Sequence, residues 1–293
     1  MIEVRSFALL LFSFLILFPD SCTQRDMVSI SRQEWQGSPH FKITTPAADY
    51  YYDVRGGGLS SLFDRDGNDW IGFEKDPFHD YPVSAAGWYR GIPNFVFGSE
   101  NSGAGHPGFE KCDSSIEGTS MISTRSLDGK WHWEWTFHDS FAVVSMKQTD
   151  PDHPYWFLYE GPVGGTWDIP NTYWGTDEGI RGDIPDFYFN RSVFGNWRWV
   201  FFGTHTLDRV LFLVQAEPDD HTDIVGFLGN SPEGIGSDDG MVVFGFGRGP
   251  DTQPLMTDQN TFIVGFYENR VTDRQSFERL GEYIGKVLEK AGL

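Results

Sequence analysis

The stretch GKWHWEWTFHDSFAVVSMKQ, residues 129–148, decides the fold class. Trp131, Trp133, Trp135 and Phe137 fall on one face of an extended chain, and His132, Glu134, Thr136 and His138 on the other. That strict alternation predicts a β-strand with its rings against a core. A two-residue turn follows, and SFAVVSMKQ, residues 140–148, predicts the antiparallel partner.

The same signal recurs outward from this hairpin. FKITT at 41–45 and YYYDV at 50–54 predict strands before it, and WRWVFFG at 197–203, RVLFLVQA at 209–216, MVVFGFG at 241–247 and TFIVGFY at 261–267 predict strands after it. The last four are almost unbroken apolar runs, as expected of strands covered on both faces. Only the C-terminus changes period. Phe277, Leu280, Ile284, Val287 and Leu288 recur at three and four, and Thr272 with Gln275 predicts a capping box. Its mixed charge suits a helix lying on a sheet better than one on a membrane. The expectation is a large all-β sandwich, or supersandwich, with one C-terminal amphipathic helix. Composition agrees: of 293 residues 16% are aromatic and 34 are glycine, a mixture for many short strands and tight turns.

The first 22 residues predict an export signal. An arginine near the start precedes ALLLFSFLILF, an apolar run too short for an ordinary membrane span. Cys22 follows that run, so two readings stand: a lipoprotein acceptor, or an ordinary signal cleaved nearby. Either places the mature chain outside the cytoplasm, at the outer membrane or cell surface, or in the periplasm or medium. The membrane is a partner only through a lipid anchor at Cys22. With Cys22 lipidated, Cys112 has no disulfide partner. Residues 23–40 predict a polar tether, and 41–293 one domain. The net charge of −20 repels nucleic acid and anionic lipid at long range.

GGGLSSLFDRDGNDWIGF, residues 56–73, predicts a hairpin around the turn Asp64–Asp69. Asp64, Asp66 and Asn68 alternate as in a calcium loop, but glycine stands fourth rather than sixth. The turn reading is preferred, and no cofactor is expected. His132, Glu134 and His138 would spread over about 20 Å of strand, too far to share a metal ion.

This hairpin is similar to the first hairpin of galactose-mutarotase-like domains. The likeness covers about thirty residues in detail and the rest in strand count. It implies a twisted β-supersandwich whose concave face binds carbohydrate, a fold found in sugar epimerases, glycoside hydrolases and polysaccharide lyases. It assigns no catalytic histidine and glutamate to positions of this sequence.

Candidate chemistry comes from three stretches. In HPYWFLYEG, residues 153–161, strand alternation predicts His153, Tyr155, Phe157 and Tyr159 on one face, with Trp156, Leu158 and Glu160 on the other. His153 and Tyr155 could both reach one sugar ring. WYRGIPN, residues 88–94, offers Arg90 and Asn94 to neutralise a uronate carboxylate, with Trp88 beside them. Without that neutralisation the neighbouring C–H is too weak an acid. His106 in GAGHPG is a second candidate base. Residues 161–196 predict a long irregular loop in which Trp167, Trp174 and Arg181 line a sugar groove.

The favoured expectation is a polysaccharide lyase acting on a uronic-acid polymer by β-elimination, with His106, His153, Tyr155 and Arg90 as its catalytic groups. A glycoside hydrolase using Glu134 and Glu160 remains open. So does a non-catalytic surface glycan-binding lipoprotein. No Ser-elbow, P-loop, dinucleotide or zincin motif is present.

Overall fold

The computed structural model describes residues 28–74, 90–95, 104–185, 191–229 and 240–293. Strands in chain order are β1 (Ser29–Trp35), β2 (Ser38–Thr44), β3 (Asp49–Asp53), β4 (Gly58–Phe63), β5 (Cys112–Glu117), β6 (Met121–Ser126), β7 (His132–Phe137), β8 (Phe141–Gln148) and β9 (Phe157–Gly161). They continue as β10 (Thr172–Thr176), β11 (Gly179–Arg181), β12 (Val193–Gly195), β13 (Trp199–Thr204), β14 (Val210–Gln215), β15 (Asp223–Leu228), β16 (Met241–Phe246) and β17 (Thr261–Tyr267), with one helix, α1 (Arg274–Ala291).

A nine-stranded sheet runs β11-β10-β13-β14-β17-β8-β7-β6-β5. Facing it are two four-stranded sheets, β1-β2-β3-β4 and β12-β15-β16-β9. Gly91 and Ile92 join those two edge to edge. Ile92 bridges Leu59 of β4, and Gly91 bridges Glu160 of β9. The Leu59 N–H donates to Ile92 O at 2.6 Å, and the Gly91 N–H to Glu160 O at 2.9 Å. One composite sheet therefore covers the nine-stranded sheet, an all-β sandwich as the alternation predicts.

The core lies where the two inner faces meet. Trp131, Trp133, Trp135 and Phe137 are all buried. Trp133 Nε1 donates to Tyr52 Oη at 3.1 Å, which satisfies the indole's one polar group across the core. Phe157 of β9 stacks on Phe262 of β17 at 4.4 Å. The other face of the nine-stranded sheet is also covered. Phe201, Phe212, Val214 and Ile263 pack there against Leu280, Ile284, Val287 and Leu288 of α1. That double burial explains the unbroken apolar runs of β13, β14 and β17. The capping box of α1 sits one residue beyond the expected pair. Asp273 accepts from the Ser276 N–H at 2.7 Å, and Ser276 Oγ accepts from the Asp273 N–H.

Three expectations need correction. Ser29–Trp35, expected as tether, is edge strand β1, paired to β2 along its whole length. An edge strand with polar side chains on an open face carries no apolar signal of its own. Residues 161–196 do not form one long loop, because β10 and β11 extend the nine-stranded sheet and β12 edges the composite sheet. The hairpin's return arm is a single bridge, Phe63 to Asp69, rather than a strand.

The turn itself is fixed by ion pairs. Buried Asp64 accepts from Trp70 Nε1 at 3.0 Å and pairs with Arg209 Nη1 at 3.1 Å. Arg209 Nη2 then reaches Asp66 and Glu268 at 2.9 and 3.1 Å. A guanidinium therefore supplies the positive charge for which the calcium reading needed an ion. Cys112 is buried, and burial pushes its thiol up to about 12, which leaves it inert at neutral pH. Cys22 and the export segment lie outside the described residues. Among those described, no helix is long and apolar enough to cross a membrane.

The two faces of β7 should differ sharply in tolerance. Trp135→Ala is expected to cost about 3–5 kcal/mol in urea unfolding. His132→Ala, on the opposite face, should cost under about 1 kcal/mol. Equal losses would contradict this facing.

Candidate functional site

The strongest candidate site grows from the joint between the two four-stranded sheets. Phe157 and Tyr159 of β9 meet Phe262 and Phe202 of the nine-stranded sheet, so alternation puts Leu158, itself buried, and Glu160 on the opposite face. Glu160 stands opposite Gly91, and opposed residues of an antiparallel pair share a face. Gly91 has no side chain, and the loop carrying His106 fills its place. A Cβ on Gly91 would lie 2.7 Å from Pro107 Cδ and 3.5 Å from His106 Cδ2. His106 and Glu160 therefore flank the same bare patch of backbone.

Two further groups complete the cluster. Asn94 follows Gly91 by three residues and hydrogen-bonds the Glu160 carboxylate through its side chain. Arg248 follows β16, the neighbour of β9, and its charge acts on Glu160. Its guanidinium carbon lies 4.9 Å from the Trp156 ring centroid, a cation–π contact. Gly245 makes room for it: a Cβ there would lie 3.0 Å from Arg248 Cβ.

Burial sets the electrostatics. Glu160 is only 5% exposed, and burial pushes its carboxyl up to about 7. The Arg248 charge and the Asn94 hydrogen bond oppose that shift without cancelling it. Burial likewise lowers Arg248, and Glu160 opposes it. His106 is fully buried, with Nδ1 2.7 Å from Pro107 O. A carbonyl can only accept, so Nδ1 carries the proton and Nε2 is the acceptor of the neutral ring. Glu160 Oε2 and Asn94 Oδ1 are buried with no hydrogen-bond partner among the described residues. Unmatched buried acceptors are costly.

This geometry redistributes the residues expected from sequence. Asn94 and His106 stand in the cluster. Arg90 belongs to the other side: its Nη1 donates to Gly72 O at 3.0 Å, and its charge acts on inward-facing Tyr159. Arg248 takes the place expected of it. Tyr155 is fully buried on the core face and donates to Asp258 O at 2.7 Å, so it touches no groove. His153 precedes β9 and pairs with Asp150 at 2.7 Å, beside Lys130. Seven residues of near-extended chain, at about 3.3 Å each, separate His153 from Glu160.

Trp174 is fully buried in β10, with Nε1 donating to Asp183 O at 2.7 Å and Arg181 stacked over its ring. Both belong to the nine-stranded sheet. Trp167 is half-buried and stacks at 5.5 Å on Phe227, a core residue. None of these three lines a groove with Glu160. Trp88 lies outside the described residues. Glu134 pairs with Lys147 on the outer face of the nine-stranded sheet. Glu160 points away from that sheet, so the two carboxylates stand on opposite sides of a sandwich whose layers are about 10 Å apart. The two carboxylates of the hydrolase alternative therefore face away from each other, whereas both glycosidase mechanisms use carboxyls that converge on one bond.

Sequence reasoning missed Arg248 and gave Glu160 the wrong partner. The available signal was GFGRGP at 245–250, a buried-strand ending in which glycines clear space around one arginine. Among the described residues, no three His, Cys, Asp or Glu side chains are placed to hold a metal.

No family model matches the chain, and no curated protein matches it. Solved structures do. A putative mutarotase, YeaD, from Salmonella typhimurium aligns with a TM-score of 0.50 at 11% identity, over 83% of this chain and 94% of that one. A galactose mutarotase-like protein from Lactobacillus casei gives 0.51 at 14% identity, over 78% and 100%. The HI1317 protein gives 0.51 at 10%, over 82% and 96%. Identities this low speak for fold alone: the chain has the galactose-mutarotase-like fold that its first hairpin resembles.

The raised carboxyl has a thermodynamic consequence. Its stabilising contribution is complete below the unfolded value near 4.3 and is lost as pH rises through about 7. Glu160→Gln mimics the protonated form at every pH. The variant should match wild type below about pH 4 and exceed it at pH 8 by up to about 3 kcal/mol in denaturant unfolding. Asp223, also pushed up to about 7 by burial, is common to both proteins and cancels in the difference. A difference independent of pH would contradict the assignment.

Proposed function

We propose that this protein is an exported carbohydrate-active enzyme, a polysaccharide lyase that cleaves a uronic-acid polymer by β-elimination. The observation that carries the reading is the buried Glu160 carboxyl, held near neutrality on the face it shares with His106, Asn94 and Arg248. A group that exchanges its proton at working pH is what acid–base chemistry on a sugar requires. The low identities leave the reaction to the residues themselves.

Arg248 and Asn94 hold the uronate carboxylate, and protonated Glu160 donates a hydrogen bond to it. Neutralised in this way, the carboxylate can accept the charge that develops as the C5 proton leaves. His106 Nε2 takes that proton. The C4–O bond breaks, a C4=C5 double bond forms, and the proton passes from His106 to the departing glycosidic oxygen. Export rests on residues 1–22, with Cys22 as the lipid-anchor point in the lipoprotein form.

The test is incubation with alginate, polygalacturonate and glucuronan while following the ultraviolet absorbance of the unsaturated uronate. Wild type should generate it on at least one polymer. His106→Ala and Glu160→Gln should each slow it by about 10²-fold or more. New reducing ends without the absorbance would mean hydrolysis. Retention on the polymer with no new ends would mean binding only, and either result overturns the lyase.

A further inference from the structure

A second feature lies on the same outer face of the composite sheet. In β3, Tyr50 and Tyr52 turn into the core, so Tyr51 turns outward. A register shift between Tyr51 and Tyr52 against β4 marks a bulge at this point, a device that re-aims side chains. Tyr51 meets Phe63 edge-on at 5.6 Å and Trp35 at 4.1 Å. Trp35 is held by its Nε1 hydrogen bond to Ser61 Oγ at 3.2 Å.

Tyr51 is packed beneath its neighbours and only 8% exposed, whereas the Phe63 ring is half-buried. Tyr51 and Phe63 floor a hollow of about 310 Å³, whose rim carries Asp49 and Arg65. Asp49 is paired with Lys42 at 3.1 Å, and Lys42 Nζ lies 5.4 Å from the Tyr51 ring centroid. Ligand pockets begin at about 300 Å³, so this is room for one small ring. Its chemistry suits a sugar ring: the half-buried Phe63 offers apolar surface for a C–H face, and charged groups of both signs at the edge suit hydroxyls or a carboxylate.

Position ties the hollow to Glu160. From β3 the lateral steps are β4, then Gly91–Ile92, then β9, three strand spacings or about 14 Å. Both features point away from the nine-stranded sheet. We infer that the Tyr51–Phe63 hollow is a remote sugar subsite, filled by another unit of the same glycan chain that Glu160 acts upon. This rests on the carbohydrate reading above and makes the substrate a polymer rather than a free monosaccharide.

The experiment is affinity electrophoresis of the full chain through gels containing alginate, polygalacturonate or glucuronan, followed by competition with oligomers of stepped length. Glu160→Gln serves as the parent to suppress turnover. The parent should bind long oligomers more tightly than disaccharides. Phe63→Ala should lose about 3- to 10-fold of that long-chain advantage, as expected for one aromatic contact. Arg65→Ala, an exposed change that leaves folding intact, should weaken long-chain binding in the same direction. Long-chain binding equal in the parent and both variants overturns the subsite and leaves the catalytic reading standing. Absence of retention by every polymer overturns the carbohydrate reading and the subsite with it.

Discussion

Two backbone bridges hold the composite sheet together. Leu59–Ile92 and Gly91–Glu160 splice two short sheets into one composite sheet. Without them, β4 and β9 would present unpaired edges to each other across a gap. The splice needs a residue without a side chain at 91, because the His106–Pro107 loop lies directly over it. Everything that gives the site its chemistry follows from that narrow joint. It fixes Glu160 beside His106, and it sets the face that Tyr51 shares.

The energetic counterpart is the burial of polar groups with imperfect partners. Glu160, Asn94, His106 and Arg248 are each at least nine-tenths buried. Against the effect of burial, the Asp64 carboxylate in the turn is held low by donors from Trp70 and Asn68 and by the charge of Arg209. At the joint, acceptors remain unmatched, and the carboxyl sits near neutrality instead of low. The contrast within one molecule is between a carboxylate that its donors hold low and one that burial pushes up.

The fold was legible wherever one face is apolar and the other is not. Trp131 to Phe137 declared its own facing. The apolar runs of β13, β14 and β17 declared burial on both sides, which α1 provides. Facing was ambiguous in residues 153–160, where rings occupy both alternations. Alternation separates the two sets but not which set turns inward: Tyr155, expected in a groove, is buried on the core face, and Glu160 lies on the opposite face. The short or polar strands β1 and β11 were invisible because pairing rather than apolar content makes them strands, and β10, though buried, is too short at five residues to show a period. The site depends on contacts among residues 91, 94, 106, 160 and 248, and no local pattern encodes such long-range closure. His106 and Asn94 are singled out by residue type, whereas only its flanking glycines mark Arg248 at the end of a core strand.

The most direct test of the central claim is a carbon-13 carboxyl titration of the wild-type protein, with the Glu160 resonance assigned by its loss in Glu160→Gln. The account predicts a midpoint near 7 for Glu160. A midpoint in the ordinary glutamate range, near 4.3, would show an exposed or fully compensated carboxylate and would contradict the acid–base site at the joint.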